Sequence, residues 1–222
     1  VIGYVVCTQP RSGSNYYGDL LYSTGKLGRP IEWLDAGAVA KAGFGTPFET
    51  RQQQLTLVTT LGATDNAVYG LKLFPYQLRS CYVDGFDPFD ELPNLKFVYL
   101  ERHDLLGQAI SHVRAQQTDQ WTSHERPNSD PTYDVNGINN ELYNLLRDRG
   151  DWNLYFASNG LAPLRVYYED VVRNPQGAAD QLADFLGVPH AKIGTVNLNV
   201  QRDALNESWR TQFVKDRAGL GV

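Results

Sequence analysis

Along this chain, short runs of consecutive apolar residues alternate with longer stretches whose apolar positions recur at helical spacing. Val1 to Thr8 is a β-branched run ending at Gln9-Pro10, the pattern of a strand covered on both faces. Arg11-Ser12-Gly13-Ser14 follows, and Asn15 to Tyr22 predicts a helix that Gly25, Gly28 and Pro30 bring to an end. Val68 to Phe74 predicts a second strand, stopped by Pro75. Lys96 to Leu100 predicts a third, entered through Leu92-Pro93-Asn94, and Leu164 to Tyr168 a fourth. Crossover helices are expected over residues 104–117, 137–158 and 175–187. Residues 35–50 read as irregular and Thr122 to Asn136 as a loop.

Strands that alternate with helices and are apolar throughout predict an α/β fold with a mostly parallel central sheet and helices on both faces. One domain over residues 1–222 accommodates all of it. Ligands of such sheets bind beyond the carboxyl ends of the strands. Thr8 to Ser14, Glu101-Arg102 and Glu169-Asp170 all fall at such ends, so one edge should gather them.

Composition narrows the options only a little. The hydrophobic share of 42% and the charged share of 20% are ordinary for a globular chain. A net charge of −5 argues against non-specific nucleic-acid binding, but a few converging Arg and Lys side chains still suffice for an anion. Two cysteines, Cys7 and Cys81, do not make a disulfide framework, and a reduced, cytoplasmic setting is expected. No apolar stretch has the roughly 20 residues of a transmembrane helix. His103, His112, His124 and His190 lack metal-ligand spacing, so no metal is expected, and His112 reads as a helix-surface group. The chain contains no Met, so it is expected to begin inside a longer gene product.

The chemistry begins with Thr8-Gln9-Pro10-Arg11-Ser12-Gly13-Ser14, set between a buried strand and a helix. Gly13 can turn consecutive N–H groups toward one point, and the helix N-terminus adds partial positive charge. Arg11 contributes a full charge in a planar fork, while Ser12 and Ser14 contribute hydroxyls. Such a loop suits phosphate or sulfate. It is not the nucleotide-hydrolysing Gly-x-x-x-x-Gly-Lys loop, because its basic residue precedes the glycine. A second candidate anion site follows the third strand. Arg102 stands at its end, Asp104 is placed to cap the next helix, and Ser111 and Arg114 share nearly one face of it. Two separated anion sites on one edge suit an elongated, doubly phosphorylated ligand.

Several blocks, in order along the chain, resemble the carbohydrate sulfotransferases that use 3′-phosphoadenylyl sulfate (PAPS), as typified by mycobacterial trehalose 2-sulfotransferase. They are Gln9 to Ser14, Gly28-Arg29-Pro30-Ile31-Glu32-Trp33, Gly70-Leu71-Lys72-Leu73, and Arg102-His103-Asp104 with Gln108-Ala109-Ile110-Ser111. Arg114-Ala115, Gln117-Thr118, Trp121, Tyr168-Glu169-Asp170, Gln201-Arg202 and Glu207 with Trp209 complete the set.

The resemblance implies a P-loop NTPase-like three-layer α/β/α fold and in-line sulfuryl transfer from PAPS to a hydroxyl of a carbohydrate or glycolipid. Arg11, Ser12, Gly13, Ser14 and Asn15 would hold the 5′-phosphosulfate, and Arg102 and Ser111 the 3′-phosphate, with Trp121 and Arg202 also on the donor. Glu32 would be the general base, Arg11 would stabilise the leaving group, and Glu32, Lys72 and Trp33 would face the acceptor. A homodimer is compatible with the family and is not readable from these residues. Residues 35–66 match poorly, so the acceptor's identity does not transfer. A kinase-like phosphoryl transferase and a non-catalytic carbohydrate-binding relative are the rival readings.

Overall fold

A strand whose consecutive residues are all apolar is stable only where both of its faces are covered. In the computed structural model, which describes residues 1–45, 49–85, 87–122, 125–196 and 204–218, β1 (Ile2–Cys7) meets that condition. Tyr4 and Val6 pack on one side with Leu20 and Leu21 of α1 (Ser14–Ser23) and Leu182 and Leu186 of α8 (Pro175–Leu186). Val5 and Cys7 pack on the other with Leu55 and Val58 of α3 (Arg51–Thr60) and Trp152 and Phe156 of α6 (Val135–Ser158). The expected three layers follow directly from this division.

β1 is flanked in parallel by β2 (Val68–Leu73) and β3 (Leu95–Glu101), and β3 by β4 (Leu164–Tyr167), giving the order β2-β1-β3-β4. The chain leaves β1 toward one neighbour and later returns on its other side. The loops after β1 and β3 therefore part from each other, which opens the crevice where such sheets bind ligands. A third apolar cluster packs α5 (Leu105–Thr118) against α6 and α9 (Ala204–Ala218), through Ile110, Val113, Ile138, Leu145, Trp209 and Phe213.

The four predicted strands and the predicted helices are present, with ends shifted by a residue or two. Elsewhere the pattern had concealed structure. Pro75 stops β2 but also begins α4 (Pro75–Val83), where the first helical position needs no N–H. Residues 36–44 form α2 (Ala36–Val39), capped by Asp35, running into a π-helical turn over Ala40–Phe44. Thr50 and Gln53 cap α3 reciprocally. Tyr168, predicted to end β4, instead starts α7 (Tyr168–Arg173). Cys7 and Cys81 are buried free thiols. Among the described residues, no helix is long and apolar enough to cross a membrane.

Candidate active site

β1 delivers Thr8 into the crevice, where its Oγ1 donates to Leu100 O at 2.8 Å and accepts from the Ser12 hydroxyl at 2.7 Å. The indole N–H of Trp152 donates to Thr8 O at 2.9 Å. Ser12 is fully buried and braces the loop from inside, so its hydroxyl is committed to Thr8 rather than turned outward. The next residues curl through two left-handed positions, Arg11 at φ 59° and Gly13 at φ 85°. Only glycine fits the second: a Cβ there would lie 2.1 Å from Cδ2 of Tyr168.

Two side chains take up the loop's carbonyls. Gln108 Nε2 donates to Pro10 O at 2.7 Å, and an Arg102 guanidinium nitrogen lies 3.4 Å from Arg11 O. Carbonyl oxygens, which repel anions, are thus engaged by Arg102, just past β3, and by Gln108 of α5. Gly13 supplies no side-chain cap to α1, so the helix's first N–H groups remain suited to an anion.

Arg11 reaches α5, donating from Nε to Ser111 Oγ at 3.0 Å and from its terminal nitrogen to Trp121 O. Burial lowers its pKa from the ordinary value, and the positive charges of Arg102 and Arg114 add to the effect, with Glu125 opposing them. Arg102 is largely buried, with its guanidinium over the Tyr168 ring at 5.3 Å and 3.6 Å from Asp104. Its Nε is buried without a hydrogen-bond partner among the described residues. Converging cations, one with a buried N–H that makes no hydrogen bond among the described residues, form a lining suited to an anion.

The sequence reading assigned Arg11 and Ser111 to opposite ends of a ligand. In the structure they touch, so the two expected anion sites adjoin through this contact.

Asp104 and Glu169 brace that lining from behind. Asp104 caps α5 through the Gly107 N–H at 2.9 Å and receives Arg210 on both oxygens, at 2.7 and 2.6 Å. Glu169 accepts the N–H groups of His103 at 3.0 Å and Asp104 at 3.2 Å. Burial pushes both carboxyl pKa values up. For Asp104 the Arg210 hydrogen bonds, and for Glu169 the backbone N–H groups, outweigh it, and both end below their ordinary values.

On the other flank, Ile31 pairs with Leu71 of β2, and Lys72 N–H donates to Ile31 O at 2.8 Å. This holds Glu32 beside Lys72. The ammonium lies 3.0 Å from Glu32 Oε1 and also bonds Asn15 Oδ1 at the start of α1, while Gln77 Nε2 donates to Glu32 Oε2 at 2.9 Å. Asn15, Lys72, Glu32 and Gln77 form one chain of contacts from the anion loop to α4. Each oxygen of Glu32 keeps capacity for a further donor.

Trp33 was expected to face an acceptor, and the structure corrects this. It is fully buried, donating from its indole N–H to Arg29 O at 2.8 Å and Gly70 O at 3.1 Å. Its function is to anchor the segment that presents Glu32. His112 also departs from expectation: it is mostly buried, bonded through Nδ1 to Glu141, with its ring edge-on to Trp121 at 5.8 Å. Trp121 lines the positive region through its carbonyl, and its indole N–H goes to Asp119 at 2.8 Å. Arg202, with Gln201, and His124 lie outside the described residues.

Gln77 and Gln108 contact the site at Glu32 and Pro10, roles that sequence reasoning did not assign them. Reading Pro75 only as a strand stop hid Gln77, and Gln108 was visible only as part of a matching block. Among the described residues, no group of three or more His, Cys, Asp and Glu side chains is placed to hold a metal ion.

A family model described as Stf0 sulphotransferase matches residues 3–216. Trehalose 2-sulfotransferase of Mycobacterium tuberculosis (strain ATCC 35801 / TMC 107 / Erdman) is 26% identical over 265 aligned residues, spanning 99% of this chain and 97% of that protein. Among solved structures, the sulfotransferase domain from the curacin biosynthetic pathway superposes with a TM-score of 0.51 at 19% identity, covering 85% of this chain and 74% of that one. The sulfotransferase from Alicyclobacillus acidocaldarius gives 0.51 at 13% identity, covering 98% of this chain and 93% of its own. These two likenesses establish the shared α/β architecture.

Proposed function

The chain belongs to the Stf0 sulphotransferase family, and on that premise we propose that it transfers a sulfuryl group from PAPS to a hydroxyl of a carbohydrate or glycolipid. PAPS supplies an activated sulfuryl group on a phosphate leaving group. The residues present suit such a donor: the charges of Arg102 and Arg114 act on Arg11, Ser111 accepts from Arg11, and Arg102 Nε is buried without a hydrogen bond among the described residues. The loop from Arg11 to Asn15 with the first turn of α1 would hold the phosphosulfate end, and Arg102 with Ser111 the 3′-phosphate.

Glu32 receives the acceptor's proton as the acceptor oxygen forms its new bond to sulfur and the sulfur–oxygen bond to phosphate breaks. A sugar hydroxyl is too weak an acid to ionise beforehand, so a base in place at that moment is what helps. Lys72 and Gln77 orient the carboxylate, one on each oxygen. Arg11 and the loop N–H groups neutralise charge on the departing phosphate, the dominant protein contribution to in-line transfer of this kind.

One observation carries this reading: the positive lining and Glu32 are joined through Asn15, which bonds Lys72 and sits one residue beyond Ser14. The test is transfer of labelled sulfate from PAPS to trehalose and to a carbohydrate extract, with products identified by mass spectrometry. Sulfated carbohydrate is the expected result. Binding of ATP with Mg²⁺ in preference to adenosine 3′,5′-bisphosphate, with no sulfate transferred, would overturn it.

A further inference from the structure

Glu32 and Lys72 meet one hydroxyl of the acceptor, and none of the residues above holds its sugar ring. α4 starts at the end of β2, so its first residues stand at the mouth of the crevice. Gln77 donates to Glu32, and its neighbour Tyr76 lies close enough for the Glu32 charge to act on its hydroxyl. The Tyr76 ring stacks on Phe74, with centroids 5.6 Å apart and planes at 19°, and Tyr76 is 47% exposed while Phe74 is nearly covered. Lys72 links this pair to the base, its ammonium 5.5 Å from the Phe74 centroid and 3.0 Å from Glu32. An isolated exposed tyrosine needs no explanation. This one is continuous with the carboxylate assigned to the acceptor hydroxyl.

We propose that Tyr76, backed by Phe74, is the platform on which an uncharged sugar ring of the acceptor stacks while one of its hydroxyls meets Glu32. The inference rests on the assignment of Glu32 as acceptor-side base. An aromatic face is electron-rich and attracts the weakly positive C–H groups of a pyranose, while the phenol hydroxyl offers a hydrogen bond at the wet rim. Phe74 holds the ring in place, which lowers the entropy lost when a sugar binds.

The surrounding charge selects the kind of sugar. Glu32 and Asp35, from the loop before α2, and Asp148, from α6, all act electrostatically on the Tyr76 hydroxyl, whose pKa burial and these charges together raise. The cations facing them are Lys72, on Glu32, Arg79, which is 3.7 Å from Asp148 and also pairs with Asp151, and Arg147, whose charge also acts on Asp148. With Asp151 included, the carboxylates here outnumber the cations, whereas the donor side gathers Arg11, Arg102 and Arg114. A uronic acid or sugar phosphate is repelled, and a neutral polyol is not.

The test titrates trehalose, methyl β-glucoside and methyl β-glucuronide by saturation-transfer NMR into wild type, Tyr76→Ala and Tyr76→Phe. The affinity for adenosine 3′,5′-bisphosphate is measured calorimetrically on the same samples. The wild type should bind the two neutral sugars and not the glucuronide. Tyr76→Ala should weaken sugar binding by about tenfold or more, Tyr76→Phe should stay within about threefold, and the bisphosphate affinity should be the same in all three. With bisphosphate binding intact, the platform is refuted by any of three results: no neutral sugar bound by wild type, undiminished affinity in Tyr76→Ala, or a preference for the glucuronide. Loss of bisphosphate binding in wild type would instead refute the donor assignment, so the two failures are distinguishable.

Discussion

Removing Arg102 separates the two ends of the donor. Its guanidinium is held over Tyr168 and near Asp104 and Glu169, yet its Nε has no hydrogen-bond partner among the described residues. A hydrogen bond between charged partners contributes about 1.5–3 kcal/mol. At about 1.4 kcal/mol per factor of ten, Arg102→Ala should weaken adenosine 3′,5′-bisphosphate by roughly 10- to 150-fold.

The fold should tolerate the change, because Asp104 retains both hydrogen bonds from Arg210 and Glu169 retains the N–H groups of His103 and Asp104. A cost near 1 kcal/mol would lower Tm by only about 2–4 °C in a chain of this size. The assay is calorimetric titration of wild type and variant with the bisphosphate and with adenosine 5′-monophosphate, which lacks the 3′-phosphate. The monophosphate should lose at most a few-fold. Equal losses for both ligands, or none for either, would refute the role given to Arg102.

Three further outcomes are expected. Glu32→Gln should reduce turnover by roughly 10²- to 10⁴-fold while bisphosphate affinity stays near wild type; turnover that persists removes Glu32 as the base. Gly13→Ala should lower Tm and bisphosphate affinity together, since the left-handed backbone alone costs about 1–2 kcal/mol and the new methyl displaces Tyr168; full affinity in this variant would show that the loop's shape is not required. Asp104 and Glu169 titrate lower in the folded chain than in the unfolded one, so their stabilisation is present above about pH 4 and is lost as pH falls through the folded-state values. The Tm gap between wild type and Arg210→Ala should therefore be largest near neutral pH and close below about pH 4, and a gap independent of pH would contradict the assignment.

What was legible in the chain was whatever short-range chemistry dictates. Short apolar, β-branched runs bounded by turn residues located β1 to β4; a strand, a glycine-containing turn and a helix in succession located the anion loop; and Asp104, three residues before Gly107, could be read as a cap. Lys72 and Glu32 came forward only through a family resemblance, without the contact that unites them. Tertiary structure alone decided that Arg11 meets Ser111 across 100 residues, that Lys72 bridges Glu32 and Asn15, that Trp33 is interior, and that His112 is paired with Glu141. The reason is that local pattern reports which residues prefer water and which backbone shapes they allow, whereas these pairings depend on the register of parallel strands. β1 sets Val6 opposite Lys72 on one side and Val98 on the other, and no residue near any of them in the chain encodes that alignment.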